Sequence, residues 1–172
     1  MRAGLDSLFR EHVNLTGFTV QTAVETSLTS RQTAAAVKAL DDNTVALGSA
    51  IGSVYGGAAK TAFIKMWRAH IGFFVNYTKG LATHDQALVA KSQKQLAGYK
   101  ADFAKFLGEA TGLPANAVAA DLQGHITTLE AAIKAIVTKS PSAGSKVLMA
   151  ESHMAGTAAV LASAIAKQKH LS

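Results

Sequence analysis

Apolar residues recur along this chain at steps of three, four and seven, the spacing that places them on one face of an α-helix. Six such stretches follow one another, and no alternating apolar and polar pattern predicts a strand. The predicted helices cover residues 5–23, 32–55, 58–79, 86–110, 115–138 and 143–167. Short segments that carry turn signals separate them, at 29–31, 56–57, 83–85, 111–114 and 140–142.

Connections this short make consecutive helices antiparallel neighbours. A length of 172 residues matches one domain and suffices to bury a core without covalent cross-links. The sequence therefore predicts a single all-α domain over residues 1–172, built as an antiparallel up-and-down bundle of about six helices.

One polar residue interrupts the apolar face of each predicted helix, usually near its middle. In chain order these residues are His12, Asn43, His70, Tyr99, His125 and His153. Successive members are 26 to 31 residues apart, about one helix plus one turn, which indicates a weak repeat of three related helical hairpins. Because mid-helix residues of an antiparallel bundle share a height, we expect the six side chains to form one transverse layer. His12 fits this layer least well, since it lies nearest to the start of its helix.

The histidines of this layer are candidate metal ligands, because a buried imidazole without a partner costs free energy. The predicted ligands are His12, His70, His125 and His153, with Asn43 and Tyr99 hydrogen-bonding in the same layer. The chain has no cysteine, which excludes thiolate sites and disulfides. Neutral imidazoles suit copper and zinc, so we predict one of these ions. Candidate soft ligands, which favour copper, are Met66, Met149 and Met154.

Two alternatives to a bare ion remain open. Five glycines lie within five residues of a layer member and either admit a flat macrocycle or let helices approach closely: Gly48, Gly72, Gly98, Gly124 and Gly156. The first alternative is therefore haem b held by a pair of these histidines. The second is a non-enzymatic structural or interaction module whose histidines bond only to one another. No catalytic residue is predicted, although copper-dependent oxidation is a third hypothesis.

Charge and motifs narrow the choice of partners. Seventeen Lys and Arg against eleven Asp and Glu give a net charge of +6. Because the basic residues are scattered and mixed with acids, no specific nucleic-acid partner is expected. The more basic C-terminal third suits an anionic cell surface. No stretch is apolar and long enough for a transmembrane helix, and no nucleotide-binding or hydrolase motif occurs.

Four blocks of the sequence carry a family resemblance. They lie at 10–13 (REHV), 51–56 (IGSVYG), 67–78 (WRAHIGFFVNYT) and 153–154 (HM). In these blocks the chain resembles a group of secreted bacterial all-helical proteins, some of which are labelled copper amine oxidase-like. Tyr77 precedes Thr78 where copper amine oxidases place an acidic residue after their quinone-forming tyrosine, so amine oxidation is not implied. Residues 1–11 lack the apolar stretch of a signal peptide, and the resemblance implies export with that peptide already removed.

Overall fold

Six α-helices make up the protein in a computed structural model that describes residues 2–170. They are α1 (Arg2–Glu25), α2 (Arg31–Tyr55), α3 (Gly57–Ala82), α4 (Gln86–Thr111), α5 (Ala115–Val137) and α6 (Ala143–Gln168). No strand occurs in this range, and every predicted helix boundary lies within three residues of the observed one. The predicted all-α bundle is confirmed.

Local chemistry explains where the helices begin and end. The Ser30 hydroxyl accepts a hydrogen bond from the backbone N–H of Thr33 at 3.0 Å, which caps α2. The Asp85 carboxylate accepts from the N–H of Leu88 at 2.9 Å and caps α4 in the same way. Gly112 ends α4 with a φ of 75°, a left-handed conformation that glycine adopts without steric cost. These contacts are local, which is why the sequence predicted the boundaries well.

The helices form a closed ring in which each packs against the next and α6 packs back against α1. Within the ring, α5 also contacts α1 and α3. Since consecutive helices are antiparallel, α1, α3 and α5 run in the same direction. This topology brings the odd-numbered helices together in the middle of the bundle, at matching heights.

Two clusters of buried apolar side chains form the core. The larger one includes Phe63, Trp67 and Phe103, and the smaller one includes Phe74 and Ile133. The two clusters follow each other along the length of the bundle, because Trp67 and Phe74 lie two turns apart on α3. The polar residue between them on α3 is His70, so the histidine site lies between the two clusters.

Glycines in the helices have two different surroundings. A Cβ atom on Gly48 would lie 2.4 Å from Cγ1 of Ile64, and one on Gly124 would lie 2.5 Å from Cε1 of His153. A Cβ atom on Gly72, Gly98 or Gly156 would meet no atom of the described residues within 4 Å. Close helix packing therefore explains two of the five glycines noted in the sequence, and the other three border open space.

Ion pairs join neighbouring helices on the outside of the bundle. Arg68 on α3 binds the Asp41 carboxylate on α2 at 2.7 Å, and Arg10 on α1 lies 3.2 Å from Glu151 on α6. Among the described helices, none combines the length and the apolar character that crossing a bilayer requires.

Candidate metal centre

Three histidines from three different helices meet in the middle of the bundle. They are His12 on α1, His70 on α3 and His125 on α5, and one ring nitrogen of each lies within 4.8 Å of the other two. The ring centroids are 5.5 Å apart for His12 and His70, 6.1 Å for His12 and His125, and 6.4 Å for His70 and His125. None of the three residues is more than 3% exposed. We call this group the histidine triad.

The same local pattern places each triad member. Each histidine follows a buried apolar residue by three positions, these being Phe9, Trp67 and Leu122. A buried residue also follows each histidine by four positions, at Thr16, Phe74 and Leu129. Steps of three and four keep a residue on one helix face, so each imidazole points toward the core. Because the three helices run in the same direction, these equivalent positions lie at the same height and the three imidazoles face one another.

The ring nitrogens of the triad make no hydrogen bonds to the described residues. Both Nδ1 and Nε2 are buried and without a partner in His12, His70 and His125. Buried polar atoms in folded proteins nearly always have a partner, and an unpaired one costs about 1–3 kcal/mol. A metal ion would bind one nitrogen of each of these three imidazoles.

Burial keeps the triad uncharged at neutral pH. Desolvation, followed by repulsion from His125, lowers the pKa of His12 to about 3. Desolvation and then the nearby His153 lower the pKa of His125 to about 4. The pKa of His70 also falls well below its usual value, chiefly through desolvation and then through His12 and His125. A backbone interaction with Trp67, which falls short of hydrogen-bond geometry, opposes this shift to a smaller extent. Neutral imidazole is the form that binds metals.

Aromatic rings enclose the triad. The Trp67 ring lies 4.9 Å from His12 and 4.5 Å from His70, centroid to centroid. Phe74 lies 6.0 Å from His70 and 6.3 Å from His125. The apolar pattern of the sequence predicts both residues as core, and their spacing of three and four residues from His70 on one helix is the signal that they flank it. They hold the imidazole planes in place and exclude water.

Tyr99 on α4 packs directly against the triad. Its ring stacks on His70 at 4.9 Å with an interplanar angle of 15°. The sequence predicted a hydrogen bond from Tyr99 within the layer, but the buried hydroxyl has no partner among the described residues. Tyr99 therefore contacts the triad through its ring face.

His153 does not join the triad. Its Nε2–H donates to the backbone carbonyl oxygen of Asp121 at 2.9 Å, and Oδ1 of Asp121 lies 3.6 Å away. The ring lies over Gly124, and the side chain is 27% exposed. The sequence placed His153 in the same layer as the other histidines; the structure differs because α6 packs against the flank of α5 and presents His153 there.

Asn43 also stays outside the triad. Its amide nitrogen donates to the backbone carbonyl oxygen of Leu8 at 3.0 Å and to the Glu11 carboxylate at 2.9 Å. Leu8 precedes His12 by four residues, just as Asp121, the partner of His153, precedes His125 by four. Asn43 and His153 thus make the same contact in the first and third hairpins, which supports the predicted relationship between the hairpins.

The three methionines predicted as soft ligands occupy different surroundings. Met154 is buried and shares with His125 the wall of a cavity of about 250 Å³. Met66 is half-buried and packs against the larger core cluster. Met149 is 63% exposed on the surface of α6, where it does not face the buried triad. Of the candidate soft ligands, Met154 is the one placed beside a triad histidine.

Comparisons of the chain with protein-family models, curated proteins and solved structures found no match. The resemblance drawn from the four sequence blocks therefore stays a prediction, and so does the export that it implies. The geometry of the histidine triad is the basis on which a function can be proposed.

Proposed function

We propose that this protein binds one transition-metal ion through His12, His70 and His125. The observation that carries the proposal is that six buried ring nitrogens, converging from three helices, have no hydrogen-bond partner among the described residues. Imidazole nitrogen is a good ligand for copper and zinc. At metal–nitrogen distances of about 2.0–2.1 Å two ligands of one ion lie at most about 4.2 Å apart, and the three donor atoms already lie within 4.8 Å of one another.

Monovalent copper is the ion that this site favours. The group holds three neutral donors and no carboxylate, so the charge of the ion stays uncompensated inside the protein. Burying one uncompensated charge costs much less than burying two. Zinc is the second candidate, because sets of three histidines hold it with a fourth position open.

The geometry supports an ion over the two alternatives. A purely structural layer needs histidines that bond to one another, and the triad nitrogens lack such bonds. Haem b needs a wide, flat space around two axial histidines, but the third imidazole, the Trp67 ring at 4.5 Å from His70 and the Tyr99 ring at 4.9 Å from His70 already occupy that space. The neighbouring cavity of about 250 Å³ is also smaller than the roughly 300–1,000 Å³ of pockets that take drug-sized ligands.

The enclosure of the site suits metal sequestration. Trp67, Phe74 and Tyr99 cover the triad, so an ion held there would be shielded from water and from other ligands. With the export that the sequence resemblance implies, we propose the holding of copper outside the cell as the role of the protein.

The test is a metal titration of untagged, metal-free protein. Cu(I) is added without oxygen in competition with a chromogenic chelator, and Zn²⁺ is added in a parallel series. We expect one Cu(I) per chain and quenching of the fluorescence of Trp67, the only tryptophan, whose ring lies 4.5 Å from His70. His70→Ala should weaken binding at least 100-fold.

The matched control removes the three histidines outside the triad. His84, His153 and His170 are exposed or partly exposed, and all three are replaced by alanine in one variant. This variant should still bind one Cu(I) per chain and still show quenching of the Trp67 fluorescence. The proposal is wrong if the control variant loses binding while His70→Ala keeps it, or if the wild-type protein binds neither ion.

A further inference from the structure

We propose that the cavity beside the triad is a binding site for one small, uncharged aromatic molecule. The cavity has a volume of about 250 Å³ and is lined by residues of α1, α3, α4, α5 and α6. We call it the aromatic cavity. This inference does not depend on metal binding, because the walls that carry it are mostly apolar rings.

The walls match a flat aromatic guest. Five aromatic side chains line the cavity: Phe9, Phe63, Trp67, Tyr99 and Phe103. They already stack on one another, with Phe63 and Trp67 at 5.0 Å and Tyr99 and Phe103 at 5.1 Å between ring centroids. Rings held in fixed positions offer stacked and edge-to-face contacts to another ring without reorganisation.

The charges around the cavity select against an ionic guest. The described lining residues include neither lysine nor arginine, and Asp121 is the one carboxylate among them. Asp121 already accepts a hydrogen bond from the Thr157 hydroxyl at 2.7 Å, and its side chain is 35% exposed, which places it toward solvent. A charged guest deeper in the cavity would lose its hydration without gaining an ion pair.

The volume sets the size of the guest. An apolar protein cavity of roughly 150 Å³ binds benzene, so 250 Å³ accommodates a one-ring or two-ring molecule such as indole. Protein interiors are close-packed, and a large apolar void forgoes contacts that would stabilise the fold. A ligand that fills the aromatic cavity restores those contacts.

Methionine side chains provide the test on the wild-type protein. Met154 lines the aromatic cavity, whereas Met149 is on the surface and Met66, which packs against the larger core cluster, is not among the lining residues. Metal-free protein with ¹³C-labelled methionine methyl groups is titrated with indole and followed by NMR. We expect a saturable ring-current shift of the Met154 signal, with the Met149 and Met66 signals unchanged. An unchanged Met154 signal, or equal movement of all methionine signals, would overturn the proposal.

Charged analogues test the chemical class of the guest. Benzoate and benzylammonium have similar size to indole and carry opposite charges. Both should bind at least tenfold more weakly than indole in the same assay. Equal or tighter binding of either ion would contradict an uncharged ligand.

A filled cavity gives an independent test. Val118 lines the cavity, and Val118→Phe would occupy part of its volume. This variant should weaken indole binding at least tenfold. Val37→Phe makes the same change at a 40% exposed position of α2 and should leave binding unchanged. Circular dichroism verifies the fold of both variants, and wild-type affinity in a folded Val118→Phe protein would contradict the location.

Discussion

At the scale of the residue, the unusual feature of this protein is a buried imidazole whose nitrogens have no hydrogen-bond partner among residues 2–170. His153 illustrates the ordinary case, since its ring N–H donates to the Asp121 carbonyl oxygen. His70 has a similar position on its own helix and no such partner. A buried imidazole without a hydrogen bond destabilises the fold. A ligand that binds the ring nitrogen would supply the missing interaction.

His70→Leu should therefore stabilise the metal-free protein. Leucine has a similar volume and removes two unpaired polar atoms, so the free energy of unfolding should rise by about 1 kcal/mol in urea denaturation. With saturating Cu(I) the wild-type protein should be more stable than His70→Leu, because only the wild-type protein gains binding energy in the folded state.

His153→Leu is the matched control for this measurement. It breaks a hydrogen bond of 2.9 Å and should lower the free energy of unfolding by about 1 kcal/mol, with or without metal. A destabilised metal-free His70→Leu protein would indicate that the triad is a structural feature.

At the scale of the element, the two helices of each hairpin have different roles. The odd-numbered helix supplies a triad histidine, and the even-numbered helix supports it. Asn43 on α2 and His153 on α6 each bond to the carbonyl four residues before the triad histidine of their own hairpin, and Tyr99 on α4 stacks on His70. The helix pairs must approach closely for these contacts to form.

Two glycine substitutions test how closely the helices must pack. At Gly48→Ala the new Cβ would lie 2.4 Å from Cγ1 of Ile64 on α3, so the Ile64 side chain or the helices must shift, which should cost about 1–3 kcal/mol. At Gly98→Ala the new Cβ has no described neighbour within 4 Å, so the gain in helix propensity should stabilise the protein by about 0.5–1 kcal/mol. Thermal unfolding of the two variants measures both effects, and shifts of the same sign would contradict the packing described.

At the scale of the whole molecule, the triad makes the stability of the metal-free fold depend on pH. In the unfolded chain a histidine takes up a proton near pH 6.5. In the folded protein, burial lowers the pKa of His12 to about 3 and of His125 to about 4, and that of His70 falls as well. Between pH 6.5 and the lower pKa values of the folded protein, the unfolded state binds more protons than the folded state. The free energy of unfolding therefore falls as the pH falls.

We expect the metal-free protein to lose stability steeply below about pH 6.5. Each fully buried histidine contributes up to about a tenfold change in the folding equilibrium constant per pH unit. Urea denaturation at several values between pH 7.5 and 5 measures the slope. His70→Leu should reduce the slope by about one proton, and a stability that does not change over this range would contradict neutral, buried histidines.

The bundle itself follows from local information in the chain. Apolar spacing, the Ser30 and Asp85 caps and the Gly112 turn are read within a few residues, and short connections then impose antiparallel neighbours. The positions of His12, His70 and His125 on inward helix faces follow from the same spacing. The sequence was therefore sufficient for the helices, their order and the candidate residues.

Which candidates meet is a property of the packed bundle. His125 and His153 look alike in the sequence, each three residues after an apolar or small residue, yet one faces the centre and the other faces the flank of its neighbour. The rotation of each helix about its axis and the contact of α5 with α1 and α3 depend on the packing of many distant side chains at once. Local spacing specifies the face of a helix on which a residue lies; long-range packing specifies what that face meets.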